Sequence, residues 1–567
     1  MPDLVLRGGL LCDGTGAPPR RADVVVDAGR VLSVDARGVR ADRELDVGGL
    51  VVAPGFIDVH THYDAQLTWD PLLTPSCWHG VTSVVVGNCG FALAPCAPER
   101  RERLLRMLEH VEGMPWAALR DGVEWSWESV PEYLAMLRAR PRALNVGVLL
   151  GHSSLRIHVL GDEAYARPAT DDEVSAMASL VREGMRAGAL GFATSASTGH
   201  VGEGGRPVPS RAATRDELRA LVHAMAEGGQ GILEITPQTF PIAADELAFL
   251  QELAAASGRP VSFSAVLDLP DRDGVWEPLF AAVRDGHARG ARVFPQVSCR
   301  PMRFDFDLEV GCASLDAIPA WRRFRAASGL RARLDLLRDS GFRAEVRAAA
   351  LGRPESPSRR RWDALVLEES GQAQHARLLG RSLQDVARER GGDAIDALLD
   401  LAAEDGLAAR FSMVLMNDDE QRVAALLREP ESLIALSDAG AHVAILCDAG
   451  YATHLLGHWT RERGVFTLEE AVRRLSSMPA DVYGIPGRGR LVPGAVADVT
   501  CFDPTRVAMR PPERVRDLPG GATRYVARAE GIEHVLVAGR EVVCGGEPTG
   551  ELPGTLLVPG APAGAAA

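Results

Sequence analysis

Hydrophobic residues along the chain fall into two rhythms. Near both ends they form short alternating runs broken by turns: Leu4-Val5-Leu6, Asp23 to Val26 and Arg30 to Val34, then Ala497 to Phe502 and His534 to Val543. Glycine-containing turns such as Asp27-Ala-Gly separate these runs, which is the pattern of β-strands. Between the ends, apolar β-rich runs each give way, after a loop, to an amphipathic helical pattern. Eight such runs end at His62, Cys89, His152, Ser195, Thr236, Val266, Cys299 and Asp438, and helical segments 172–187, 215–226 and 246–256 separate several of them. That alternation predicts an α/β fold: a (β/α)8 TIM-like barrel over residues 55–482, with a small β-sandwich built from both chain ends, 1–54 and 483–558. A mostly helical, arginine-rich insertion over about 300–424 is expected over the barrel mouth, and a Pro-Gly-Ala tail, 559–567, is expected to be disordered.

Composition narrows the chemistry. The 567 residues carry a net charge of −14 and contain no lysine, so every basic side chain that stays charged is an arginine. A chain without lysine can form no Schiff base, carries no phosphate-loop lysine and cannot bridge two metals with a carbamylated lysine. The acidic balance, broken only by the short Arg359 to Arg361 patch, argues against a nucleic-acid partner, and no stretch approaches the length of a membrane span. Nine scattered cysteines and an N-terminus without a long apolar run fit a reducing, cytoplasmic setting. A small-molecule substrate is the expected partner, and a homo-oligomer is compatible with the sequence.

Barrels of this kind gather their working side chains at the C-terminal ends of the strands. His60 and His62, spaced i and i+2 on the first run, can turn both imidazoles toward one ion. Asp438, in Ser437-Asp-Ala-Gly440 at the end of the last run, can ligate a metal and move a proton, or cap a helix. Cys89, in Gly87-Asn-Cys-Gly90, offers a thiolate, although a lone cysteine also serves as a small core residue. Glu234, near the end of the fifth run, is a further candidate ligand. His200, on a glycine-rich loop after the fourth run, can polarise a carbonyl or leaving group, or be an ordinary loop histidine. Arg156 and Arg300 are the cations best placed to hold a substrate carboxylate, or else are structural partners of Asp and Glu. His152 and His442 are candidate pocket walls, and His454 and His458 read as packing.

The chain resembles the amidohydrolase superfamily and, within it, the N-acyl-D-amino-acid deacylase (D-aminoacylase-like) group. The segments that carry the resemblance include Pro54-Gly-Phe-Ile-Asp-Val-His-Thr-His-Tyr-Asp64, Trp78-His-Gly-Val-Thr82, Gly87-Asn-Cys-Gly-Phe91, Gly151-His-Ser-Ser-Leu-Arg156, Ser437-Asp-Ala-Gly440, Gly489 to Asp498 and Thr549 to Gly554. The resemblance implies a metal-dependent hydrolase of non-peptide C–N bonds that deacylates an N-acyl-D-amino acid through activated water. It implies a divalent metal, zinc, as one or two ions, held by His60, His62, Cys89 and Asp438; Asp438 is the expected catalytic acid–base, with His200, from its loop position, as a second catalytic candidate. The group's histidines on strands five and six are missing, since the chain reads Gly231-Ile-Leu-Glu-Ile-Thr236 and Val261-Ser-Phe-Ser-Ala265 there. That departure keeps open a cyclic amide or imide hydrolase or decarboxylase, and a non-catalytic binding barrel.

Overall fold

The computed structural model describes residues 1–560 except 36, 37, 271, 273, 310, 312, 317 and 353–360. The tail from residue 561 and two of the three arginines of the 359–361 patch lie outside the described residues. The chain divides into two compact units, one of Met1–Val266, Gly274–Cys299 and Ala424–Ala567, the other of Leu267–Asp273 and Arg300–Val423.

In the first unit, all eight predicted runs are strands of one sheet. In chain order they are Phe56–Asp58, Val81–Val86, Asn145–Gly151, Gly191–Ser195, Leu233–Thr236, Val261–Val266, Val293–Val297 and Leu433–Ile434, and each is hydrogen-bonded to the next. Every pairing is parallel. A parallel strand is covered on both faces, so runs such as Val81-Thr-Ser-Val-Val-Val86 are buried at every position. Beyond the last strand, a parallel bridge between Thr61 and Ala439, with the His62 N–H donating to the Ala439 carbonyl at 2.8 Å, ties the first strand to the eighth and closes the barrel.

Helices return the chain between strands and have explicit ends. Asp171–Ala187 begins with a reciprocal Thr170–Glu173 capping box and stops at left-handed Gly188, while Arg215–Ala226 starts on the Thr214 hydroxyl. The first of these buries Met177, Ala178, Val181 and Gly184 along one stripe. The two chain ends meet in a nine-stranded sheet in which Val51–Pro54 pairs with Leu4–Leu11 on one side and Val499–Phe502 on the other. Leu6, Val24, Val52, Val499 and Leu536 form its core. Val51–Pro54 runs through Gly55 straight into the first barrel strand, so this sheet anchors the segment that carries His60 and His62. Among the described residues, no helix is long and apolar enough to cross a membrane.

The second unit has its own core, in which the Trp321 and Phe324 rings stack at 4.4 Å beside Phe342, Leu398 and Phe411. It is helical, as its composition suggests, but also contains a three-stranded antiparallel sheet of Met302–Phe306, Arg410–Met416 and Val366–Glu369. The helical expectation needs that correction. Its strands pair across a separation of up to about a hundred residues, so no local hairpin signal announces them.

Gly87 ends the second strand with φ 84°, and a Cβ there would lie 2.2 Å from the Leu149 carbonyl oxygen of the third strand. Gly87→Ala is expected to cost at least about 3 kcal/mol, because it adds left-handed strain to a backbone clash at the strand junction. Chemical denaturation checks this, and an unchanged midpoint would contradict the close packing.

Candidate active site

The strand ends of the barrel bring His60, His62 and Cys89 together. One donor atom from each lies within 4.8 Å of the others, and all three residues are buried. Cys89 Sγ lies 3.6 Å from His60 Nε2. Asp438 approaches from strand eight, its Oδ1 lying 3.4 Å from His60 Nε2 and 3.9 Å from His62 Nε2. Glu234 is fully buried in strand five, where one oxygen accepts the Cys89 N–H at 2.8 Å and the other lies 3.9 Å from His60 Nδ1.

Backbone conformation aims several of these side chains. Cys89, Asp438 and His442 have φ of 56°, 44° and 51°, a left-handed conformation that non-glycine residues rarely adopt. Gly440, at φ 96°, lets the strand-eight loop come so near the first strand that a Cβ would lie 2.6 Å from the His62 carbonyl oxygen.

Two residues that the sequence did not single out complete the site. Gln296, on strand seven, places its Oε1 2.7 Å from His60 Nδ1 while its Nε2 donates to Ser262 at 3.0 Å. The amide orientation makes Nδ1 the protonated nitrogen of His60 and leaves the Nε2 lone pair facing Cys89 and Asp438. Glu112 follows helix Arg101–Val111, is almost fully buried, and sets Oε2 3.5 Å from His62 Nε2. The Glu112 carbonyl also accepts the His442 N–H at 2.5 Å. A glutamine inside the apolar Val293-Phe-Pro-Gln-Val297 run was a legible signal. Glu112 had none, because it sits beyond a helix rather than at a strand end.

Burial dominates the electrostatics. It pushes the Cys89 thiol well above its usual range, with Glu234 and Glu112 adding to the effect and the Thr236 hydroxyl opposing it. Burial likewise raises the carboxyl of Glu112, reinforced by Asp438, Asp64 and Glu234, and raises that of Glu234 against the pull of His60. Asp438 is pushed up to about 6 by burial, partly offset by His442, with Asp448 raising it further. His60 and His62 are held below the normal imidazole range, also by burial first. Acceptor atoms therefore face one another, and the buried His62 Nδ1 has no hydrogen-bond partner. Sulfur, imidazole nitrogen and carboxylate oxygen converging in this way suit a divalent cation, which would satisfy the lone pairs that protons otherwise must. The missing strand-five and strand-six histidines leave Thr236 beside Cys89, its hydroxyl 3.2 Å from Sγ, and Ser264 donating to Glu234 at 3.2 Å.

His200 Nδ1 lies 2.8 Å from the Ser195 hydroxyl. The Ser197 N–H donates to that oxygen at 3.1 Å, and when the Ser195 proton is given to Nδ1 the imidazole carries its own proton on Nε2. His442 is half-buried beside Asp438 and is one of the charges that act on His200.

Arg156 and His152 are held within the protein's own network. Arg156 is fully buried, with its guanidinium on both Glu217 oxygens at 2.5 and 2.6 Å and on the carbonyls of Ala164 and Arg167. Its donors are taken by the protein itself, so it has none left for a substrate carboxylate. His152 joins the same network, with Nε2 3.0 Å from Glu217 and Nδ1 2.8 Å from the Thr194 hydroxyl. Arg300 belongs to the second unit, where its carbonyl accepts from Asn417 at 3.0 Å. The rings of His454 and His458 stack at 4.9 Å against Trp459, in agreement with a packing role.

The model of the amidohydrolase family matches residues 43–543. A D-aminoacylase from Alcaligenes xylosoxydans xylosoxydans is 31% identical over 508 residues, 89% of each chain. An N-acyl-D-glutamate deacylase from the same organism is 30% identical, covering 98% of this chain and 96% of the relative. The crystal structure of N-acyl-D-glutamate deacylase from Bordetella bronchiseptica, complexed with zinc and a phosphonate mimic of the tetrahedral intermediate, superposes with a TM-score of 0.66 at 27% identity, over 98% of this chain and 99% of that one. The chain belongs to the amidohydrolase family. Within it, the chain is a D-aminoacylase-like hydrolase of carbon–nitrogen bonds other than peptide bonds.

Burial brings the His200 imidazole down to about 4, with His442, His60 and Arg211 pushing the same way. A lowered histidine is neutral above its own value, so His200 is expected to stay uncharged from pH 5 to 8 in metal-free protein. Histidine-resolved NMR titration checks this, and a His200 midpoint near 6.5 would show that its environment is not as dry as described.

Proposed function

We propose that the protein is a divalent-metal-dependent deacylase of N-acyl amino acids, of the D series, using zinc. The observation that carries this reading is the convergence of His60, His62 and Cys89 on one point, with Asp438 3.4 Å from His60. The deacylase relatives, one of them solved with zinc, support it. His60, His62, Cys89 and Asp438 would hold the cation, with Glu112 and Glu234 close enough to add negative charge. The bound cation supplies an acidified water and a Lewis acid for the scissile carbonyl.

The remaining steps belong to the chain. Asp438 keeps partial access to solvent, its side chain being 29% exposed, and a carboxylate so placed can serve first as a base and then as an acid. It accepts the proton of the attacking water on Oδ1 and returns it to the leaving amine nitrogen. His200, protonated on Nε2 and neutral, donates that hydrogen to the carbonyl oxygen as negative charge develops there. Gln296 keeps His60 in the tautomer that offers Nε2 as a ligand.

Purified protein is expected to hold at least one divalent ion per chain by elemental analysis, and to lose hydrolysis of N-acyl-D-amino acids on chelation and regain it with zinc. Asp438→Asn should lower kcat by about 10²- to 10⁴-fold, the usual contribution of a positioned acid–base. Full turnover by that variant, or hydrolysis that survives complete removal of metal, would overturn the mechanism.

A further inference from the structure

A side-chain cation is the strongest single partner for a substrate carboxylate, and in a lysine-free chain a permanently charged one is an arginine. Arg156 is neutralised by Glu217, and Arg215, further along, is paired with Asp245 at 2.8 Å. Arg211 differs. It is half-buried, and among the described residues its side chain makes no hydrogen bond or ion pair. It lines a cavity of about 260 Å³ at the ends of strands four and five, together with Thr194, Ser195, Ser210 and Gln238. Two carboxylates share this cavity, but both are engaged: Asp245 by Arg215, and Glu246 by the Gln238 N–H at 2.7 Å.

The turn that carries Arg211 is fixed to the reaction site. Pro209–Ala212 is a single helical turn, and the Ser210 hydroxyl donates to the Ser195 carbonyl at 2.7 Å. Ser195 is also the residue whose hydroxyl orients His200. One residue at the end of strand four thus positions both the neutral imidazole and the unpaired guanidinium.

We propose that Arg211 binds the carboxylate of the substrate in this cavity, and so selects N-acyl amino acids over N-acyl amines that lack the carboxylate. The inference rests on the deacylase reading above and names the group that gives the reaction its substrate class. A guanidinium left without a partner offers a planar fork of N–H donors that matches a carboxylate oxygen for oxygen.

The test compares, on the metal-loaded enzyme, the best N-acyl amino acid of the wild type with the N-acyl amine obtained by removing its carboxylate. Arg211→Gln is expected to raise KM for the acid by about 10- to 100-fold, the range of a lost charged hydrogen bond. The ratio of kcat/KM between acid and amine should collapse toward one. Arg211→Lys, which keeps the charge without the fork, should fall between. Calorimetry with the free amino acid product gives a reading independent of turnover, and Arg211→Gln should weaken its binding at least about tenfold. An equal loss on acid and amine, or no loss on either, overturns the role of Arg211 while leaving the deacylase reading intact. A wild type that cleaves no N-acyl amino acid overturns both.

Discussion

The structure turns on burying acidic and metal-binding groups together with no fixed cation among them. Glu112, Glu234 and Cys89 are buried, Asp438 is half-buried, and burial is the leading influence on all four, with neighbouring carboxylates adding to it at Cys89 and Glu112 and with His60 and His442 opposing it at Glu234 and Asp438. Without a cation, this arrangement is tolerable only if most of these groups stay protonated, because an isolated buried carboxylate costs several kcal/mol or more. A divalent ion reverses the balance, since each group that resists ionisation alone becomes a favourable donor beside it. Placing the arginines elsewhere is part of the same design. A guanidinium inside the cluster would satisfy the carboxylates permanently and compete with the ion.

Holding that cluster in place falls to backbone constraints at the barrel seam. The first strand is fixed from below by the sheet of the chain ends and from the side by strand eight, through the Thr61–Ala439 bridge. Left-handed Cys89 at the end of strand two and left-handed Asp438 and His442 in the strand-eight loop set side chains around the site, and each is a conformation the surrounding packing must pay for. Glycines at 87 and 440 permit the close approach of neighbouring chains. The site is therefore stiff where ligands are needed.

Much of this was legible in the sequence, and the rest was hidden for physical reasons. Strand and helix periodicity exposed the eight barrel strands, because parallel strands buried on both faces are runs of valine and leucine. The His-Thr-His spacing and the strand-end positions of Cys89 and Asp438 pointed to one region because the fold collects strand ends there. Glu112 escaped altogether, since a carboxylate after a helix carries no strand-end signal; Gln296 stood out as a polar residue in an apolar run, but its partner His60 is met only in three dimensions. Arg156 was misleading for the same reason. Its position after strand three says nothing of Glu217, sixty-one residues later, which neutralises it.

The contrast between Arg156 and Arg211 explains how a lysine-free barrel can keep both a rigid frame and a usable cation. An arginine bonded on every side, as Arg156 is to Glu217 and two carbonyls, stiffens the ends of strands three and four but has no field left to offer. An unpaired arginine has the opposite character: its charge reaches its neighbours, and His200 is one of those it acts on. Keeping His200 neutral makes it a donor through Nε2 without giving it a positive charge that would compete for the substrate's carboxylate. Burial keeps that imidazole in its neutral, hydrogen-bonding form and the unpaired charge of Arg211 adds to the effect, while leaving one place in the cavity where an anion lowers the energy of the whole.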